Sequence, residues 1–378
     1  MAAIISPFDA QGPRSTSNTK ESEYFQQLKA LVHPVPVLRA AGYVVAPLSS
    51  SDLERKKRCA RCGVRCIQKE RKRPRPKGTG RPERKDQSTP QATESPGDDK
   101  QNTFQLCKFH TGVVANKIWT CCGDHVSVAK PCAGERDHQA LQYRVGELEG
   151  RWQFHQTPAP GRGAQKKKLA VALDCEMGTA SDGETELIRL TAIDYFTGEI
   201  LINSLVYPNI SMQHYNTRYS GVTRAEMEKA RRQMRCLFGK HAARRALWRF
   251  VGPETIVVGH AAQNDLASLR WIHHSVVDSF LVEDKERKRE ELEAEERKRA
   301  EAEAEKKGEQ ESTPEEDRKK GELEKLSLSL KALALRKLGR QIQTKAGKGH
   351  DSLEDAVTSR DLIHRHIETL MVPMEPKA

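Results

Sequence analysis

The residues of this 378-residue chain best suited to chemistry are a set of acids and one histidine. Asp174 and Glu176 lie two apart in LAVALDCEM. On an extended strand, residues i and i+2 project from one face. Two carboxylates on one face repel unless a cation lies between them, and a divalent metal with oxygen ligands suits that place. A DxE pair alone reads equally as two solvent-exposed strand acids. Asp265 follows the apolar run TIVVGH, near the start of a helix in NDLASL. In GHDSLEDAV, Asp351 is placed to cap a helix with Glu354 three residues on. That arrangement puts Asp355 in the first helical turns and His350 in the loop before them.

A second set suits sulfur and nitrogen coordination. Cys59 and Cys62 form CxxC, Cys107 and His110 form CxxH, and Cys121, Cys122, Cys132 and His138 follow. Eight such ligands suffice for two tetrahedral structural zinc sites. Adjacent cysteines usually serve different metals, so Cys121 and Cys122 are expected to split between the sites. The pairing is otherwise open, with Cys66 and His125 as competitors and free thiols as the alternative.

The elements that must position the acids are legible as periodicity. LAVALDCEM, ELIRLTAIDYF and EILINSLVYP are apolar or alternating runs joined by SDGE and TGE, an antiparallel meander of three strands. TRAEMEKARRQMRCLF and HAARRALWRFV read as helices, TIVVGH as a buried strand, NDLASLRWIHH as a helix and VVDSFLV as a strand. LSLSLKALALRKL and DSLEDAVTSRDLIHRHIETL close the pattern as helices, the last with an apolar stripe of Leu353, Ala356, Val357, Ile363, Ile367 and Leu370. The fold class is α/β with a mixed sheet.

Charge divides the chain further. Lys and Arg number 64 against 52 Asp and Glu, a net of +12. Residues 54–86 carry 15 basic and 4 acidic side chains, so most of the excess sits there. Such a stretch reads as a nucleic-acid patch, a nuclear import signal or a solvated linker. The segment 283–325 has 18 acidic and 13 basic residues, and is either an exposed charged helix or a disordered loop. The domains expected are a disordered tail over 1–22, a short helical lead-in over 23–57, and a Cys/His zinc module over 58–140 with a disordered basic loop at 72–101. A linker over 141–168 and a domain over 169–372 with the charged insertion at 283–325 complete the chain. No run approaches ~18 apolar residues, and the N-terminus lacks a basic stretch with a long apolar one, so neither a membrane span nor a secretory signal is expected.

DCEM, GHxxxNDLxxL and GHDSxEDA, in this order, resemble the three motifs of the DEDDh (RNase T-like) 3′-5′ exonuclease superfamily, and in detail its eukaryotic RNA exonuclease branch. The likeness extends to YNTRYSGVT and to the CxRC, CxxH and CC spacing upstream. The resemblance implies an RNase H-like exonuclease fold, a mixed sheet with a three-strand antiparallel start flanked by helices, preceded by a small zinc-binding module. It also implies two Mg²⁺ or Mn²⁺ ions on Asp174, Glu176, Asp265 and Asp355, His350 as general base, and structural Zn²⁺. Met177, Thr217, Ser220, His260 and Asn264 become candidates for contacting substrate. The implied activity is hydrolysis of RNA from single-stranded 3′ ends to nucleoside 5′-monophosphates, in RNA 3′-end processing in the nucleus or nucleolus. DNA is a possible substrate by residues alone. A DNA-directed 3′-5′ exonuclease, and a nucleic-acid-binding zinc protein with weak or no nuclease activity, stand as alternatives. Protein partners are unknown. The chain departs from the family pattern in the charged insertion between Asp265 and Asp355, in Asp278-Ser279 in place of Asp-Thr, and in His214 before Tyr215 where an Asp is common.

Overall fold

The computed structural model describes residues 18–66, 107–161, 166–305, 327–344 and 349–371. Two compact units divide the chain, one of Met1–Pro47 with Gln153–Ala378 and the other Leu48–Trp152.

The larger unit is built on a mixed sheet. Strands β1 (Ala170–Ala180), β2 (Thr185–Asp194) and β3 (Ile200–Tyr207) form the expected antiparallel meander. Its second turn closes because Asp194 accepts hydrogen bonds from the Phe196 and Thr197 amides and Gly198 takes φ +72°. The chain then lays β4 (Met212–His214) antiparallel to the end of β1 and β5 (Leu237–Phe238) parallel to β3. Across β1, β6 (Ile256–Gly259) and β7 (Val276–Asp278) run parallel to it, giving the order β5-β3-β2-β1-β6-β7. Pairing of β1 with β6 covers Ala170–Ala172 and stops there. Asp174 and Glu176 therefore lie just past the carboxyl ends of the parallel strands, where open α/β sheets place ligands.

The period of two along β1 decides what each face meets. Val171, Leu173 and Cys175 pack into one core with Leu187, Leu190 and Trp271. Ala170 and Ala172 face the other way, against Ile363 and Ile367 of the long helix Ser352–Met371. Asp174 and Glu176 share that second face. Of the expected apolar stripe on the helix, Leu370 alone points out, at 51% exposure.

Several expectations change. Of the tail expected over 1–22, residues 1–17 lie outside the described residues, and helix α1 already begins at Asn18 and runs to Ala30. Tyr24 and Leu28 on α1 are buried in the core beneath Ser352–Met371, so this segment is part of the sheet unit rather than an approach to the next one. In the expected linker, Gln153 onward joins the same unit, and His155–Gln156 pairs with Trp271–Ile272. The strand expected at VVDSFLV stops at Asp278 because its carboxylate accepts from the Phe280 amide and a helix follows, Ser279–Glu305. That helix includes 283–305 of the charged segment. It is not wholly without buried contacts, since Glu283 is 6% exposed and pairs with Lys337 at 3.4 Å. Farther out it is laced by ion pairs three and four residues apart, such as Asp284 with Arg287 and Lys288. Residues 306–325, and the loop expected at 72–101, lie outside the described residues.

The smaller unit holds little regular structure. Cys107–Phe109 pairs with Ala133–Glu135, and Val114–Ala115 with Ile118–Trp119 across Asn116 and Lys117, both at positive φ as a two-residue hairpin turn demands. Its buried apolar cluster is Cys59, Cys107 and Phe109 with Cys62, Cys66 and Ala133 packed against them. A core that small does not stabilise a fold without a covalent or metal staple.

Leu28 supplies a direct test of where the N-terminal helix belongs. Truncation to Ala of this side chain, 0% exposed, is expected to cost about 2–5 kcal/mol. It should lower the urea midpoint of the sheet unit, and an unchanged midpoint would detach α1 from that core.

Candidate active site

Three pieces of chain bring the acids together at the end of β1. The first is β1 itself, where a register shift between Glu176 and Met177 breaks the regular ladder with β2. Such bulges re-aim side chains beside sites. Asp174 is partly exposed, while Glu176, Asp265 and Asp355 are 8, 5 and 4% exposed.

The second piece is the helix Ser352–Met371. Its first residue is pinned to the sheet by a buried hydrogen bond, Ser352 Oγ to Thr191 Oγ1 at 2.7 Å. Thr191 is the cross-strand partner of Asp174. One turn on, Asp355 is carried over the same face. His350 precedes the helix on a loop held by close backbone contact, and its amide donates to the Tyr219 carbonyl at 2.5 Å. Gly349 makes this possible. It has φ +74°, and a Cβ there would lie 2.0 Å from Gly221 N and 2.4 Å from Gly221 Cα. His350 Nδ1 sits 3.7 Å from Asp355 Oδ2, on a half-exposed ring.

The third piece is the turn after β6. Ala261 adopts φ +51°, uncommon for a residue with a Cβ. Asp278, 1% exposed, holds it there by accepting from the Ala261 and Ala262 amides. The same carboxylate accepts from the Phe280 amide and from the Tyr43 hydroxyl. The short helix Gln263–Ser268 starts from this clamp, and Asp265 in its first turn is hydrogen-bonded by the Cys175 backbone.

Removal from water pushes all four carboxyls upward, and the charge of neighbouring carboxylates adds to it. Asp174 and Asp265 rise well above the ordinary range. Glu176 rises to about 9, with Asp355 and Asp265 as the charges that add to burial and Arg189 as a partial offset. Asp355 rises to about 7 through burial, eased by a hydrogen bond from Gln343. Among the described residues, none of the four forms an ion pair with Lys or Arg. They surround one space without reaching the mutual approach within 4.8 Å that the Cys/His groups below show. Oxygen donors of this kind suit Mg²⁺ or Mn²⁺.

Gln343 escapes the sequence reading altogether. Its Nε2 donates to both oxygens of Asp355 at 3.2 and 3.1 Å, from a backbone at φ +55°. No periodicity or motif marks it. Asp278 carried a readable signal, because an acid inside the apolar run VVDSFLV must find donors when buried.

The residues suggested for substrate contact divide. Ser220 is 3% exposed, donates to the Tyr215 carbonyl and accepts from the Val222 amide. Thr217 donates to the Val222 carbonyl. Both side chains are engaged in holding the turn that supports His350. In the same turn Asn216, at φ +52°, fastens to β1 through the Met177 carbonyl and Thr179. Met177 is half-buried and Asn264 exposed. His260 is oriented by Ser279 Oγ at 2.9 Å, and burial lowers its pKa, so it is neutral.

The sulfur ligands separate into two groups, Cys59, Cys62, Cys107 and His138, and His110, Cys121, Cys122 and Cys132, each with its ligand atoms within 4.8 Å of one another. Adjacent Cys121 and Cys122 thus join one group, contrary to expectation. Gly123 at φ +75° closes the chain on itself there, and both sulfurs come to 3.6 Å from His110 Nδ1. His125 is engaged with Ser127 instead. Against the upward push of burial, the Cys62 and Arg61 amides and His138 draw the Cys59 thiol down to about 6.

No family model matches the chain. It is similar to RNA exonuclease 3 of Candida albicans, 25% identical over 347 residues, covering 91% of this chain and 67% of that protein. It is 27% identical over 279 residues to putative RNA exonuclease pqe-1 of Caenorhabditis elegans, covering 71% of this chain and 14% of that one. It is 31% identical over 180 residues to putative exonuclease GOR of Homo sapiens, covering 46% and 25%. The chain thus spans from about a seventh to two thirds of these relatives. Among solved structures, the catalytic unit of Neurospora crassa Pan2 (protease and nuclease domain) aligns at a TM-score of 0.38 and 17% identity over 62% of this chain and 34% of that one. That likeness is too slight to rest anything on.

Two substitutions test the scaffold. Asp278→Ala strands three main-chain amides and the Tyr43 hydroxyl, and at about 1–3 kcal/mol for each buried group left unpaired it should lower the urea midpoint more than Leu28→Ala does. Gly349→Ala forces a side chain into left-handed backbone, costing about 1–2 kcal/mol before the overlap with Gly221 is counted. A thermal midpoint within 1 °C of the parent, read by circular dichroism, would refute that close approach.

Proposed function

We propose that the chain is a member of the eukaryotic DEDDh-type RNA exonuclease family and acts as a 3′-5′ exoribonuclease releasing nucleoside 5′-monophosphates from single-stranded RNA ends. The observation that carries the proposal is the convergence of Asp174, Glu176, Asp265, Asp355 and His350 at the carboxyl ends of parallel strands. Four carboxyls whose pKa burial raises, with no Lys or Arg paired to them among the described residues, are the donor set a pair of hard divalent cations requires. Bound there, Mg²⁺ or Mn²⁺ supplies positive charge at the scissile phosphate and makes an attacking water more acidic.

The protein's own residues do the rest. His350 is the base that takes the proton from the attacking water. Burial and nearby Lys331 lower its pKa, which keeps the ring unprotonated near neutrality. Its half-exposed position leaves it open to solvent, and Gly349 fixes its distance from Asp355. Asp278 orients Asp265 through the turn at Ala261. The preference for RNA rests on the names of the relatives.

We assign the two Cys/His groups to structural Zn²⁺. Bonds of about 2.3 Å to tetrahedral zinc imply sulfur-sulfur edges of about 3.8 Å, and Cys59–Cys107 and Cys121–Cys132 lie close to that at 3.6 and 3.5 Å. The small core of that unit makes metal the main source of its stability. The basic run 54–58 and its continuation to residue 77, whose last part lies outside the described residues, serve in this reading for nuclear import.

Trimming of 5′-labelled single-stranded RNA, beside a DNA oligomer of matched sequence, tests the function. Asp174→Ala and Asp355→Ala should each reduce Mg²⁺-dependent trimming to background with the thermal midpoint retained. His350→Ala should lose about 10²–10⁴ in kcat. Full activity in either acid variant refutes the site, and preferential loss of the DNA oligomer refutes the choice of RNA. Atomic emission should find two zinc per chain, with one lost in Cys107→Ser, and chelation should unfold Leu48–Trp152. A zinc-free protein that remains folded would overturn the assignment.

A further inference from the structure

A cleft on the sheet face beside Glu176 is lined by Arg189, Leu205, Glu226, Lys229, Gln233 and Arg235. It connects to the site through Arg189, the cross-strand partner of Glu176 on β2. Directly paired strand residues lie on one face, so the guanidinium and the carboxylate share a surface.

The charge in this cleft is unevenly committed. Glu226 is occupied in capping the helix Arg224–Arg232, accepting from the Thr223 amide and hydroxyl. Glu228, on the same helix, is paired with Arg231 at 2.9 Å and accepts from the Tyr207 hydroxyl. Lys229 and Arg235 are exposed and form no ion pair among the described residues. Leu205 and Ala230 give the cleft an apolar floor.

A second observation stands apart from charge. The helix ends in a six-residue closing bond, Arg235 amide to Ala230 carbonyl at 2.9 Å, with Met234 in the left-handed position. Glycine is the usual residue there. Instead a methionine at φ +55° stands 73% exposed, next in sequence to Gln233 and Arg235 of the cleft lining. An apolar side chain held in a costly conformation and presented to solvent is a reason to look for a ligand.

We propose that this cleft is a binding subsite for the phosphodiester backbone of the RNA strand upstream of the scissile bond, with Lys229 and Arg235 on phosphate and Met234 against a base or ribose. The proposal rests on the exoribonuclease reading above and extends it. Phosphate contacts of this kind bind without reading sequence. They give a site that holds the body of the strand while its 3′ end is cut.

The test uses the full chain carrying Asp174→Ala, so that RNA survives, with a fluorescent single-stranded ten-nucleotide RNA as probe and anisotropy measured across salt. Lys229→Gln with Arg235→Gln should weaken binding about tenfold and reduce the slope of log affinity against log salt by about 1.4, two phosphate contacts at ~0.7 each for a single strand. Lys288→Gln with Arg289→Gln removes equal charge from the exposed helix and should leave the slope unaltered. Trimming by the otherwise unaltered enzyme should fall more for the ten-nucleotide RNA than for a dinucleotide when Lys229 and Arg235 are replaced. An unchanged slope in the cleft variant, or an equal fall in the helix control, overturns the subsite while parent trimming still upholds the exonuclease. A parent that neither binds nor trims RNA overturns both.

Discussion

Four carboxylates cannot be gathered at one end of a sheet without something forcing them there. Burial raises the pKa of all four, and the negative charge of neighbouring carboxylates adds to it. Nothing local in any one segment overcomes that repulsion. It is overcome by anchors lying behind the acids: the Ser352–Thr191 hydrogen bond, the Asp278 clamp on Ala261 and Ala262, and the backbone contact of Gly349 with Gly221. Each anchor is buried or sterically exact, and each sits within a few residues of an acid it positions. The site is therefore a strained arrangement held by its surroundings, as active sites commonly are.

The clamp at Asp278 ties distant chain together. It accepts from two amides of the β6 turn, starts the helix Ser279–Glu305 and receives the hydroxyl of Tyr43. His33 adds contacts to the β7 main chain, donating its amide to the Val276 carbonyl and lying 3.3 Å from the Asp278 carbonyl by its ring. Residues near the start of the chain thereby bear on the placement of Asp265, without touching it.

How much of this was legible depends on the range of the interaction involved. Strands β1 to β3 were readable because alternation and turn residues are local signals, and the acids because side-chain period places Asp174 and Glu176 together. The capping pattern around Asp351 located the last helix and with it Asp355. The sequence could not show α1 packing beneath that helix, since Tyr24 meets Tyr195 and His364 only in three dimensions. The end of β7 at Asp278 was misjudged because apolar residues continue into Phe280, Leu281 and Val282, and only the cap at Asp278 marks the change. Cys121 and Cys122 were expected apart on general grounds, and the tight turn at Gly123 overrides that preference. Gln343 reaches Asp355 from a stretch with no pattern at all.

The insertion of Leu48–Trp152 between Met1–Pro47 and the remainder of the sheet unit has a kinetic meaning. Contacts such as Tyr24 with His364, 340 residues apart, and Tyr43 with Asp278, 235 apart, close long loops and form slowly. The contacts of the sulfur-rich unit span shorter stretches, such as Cys59 with Cys107 and Cys62 with His138, 48 and 76 residues apart, and all lie before the strands that carry the acids. The strands bearing Asp174, Glu176 and Asp265 come next, but Asp355 and His350 are missing until the chain has been made beyond residue 355. During translation the nascent chain thus carries an incomplete set of acids, and the cluster is assembled only once the helix Ser352–Met371 has been made.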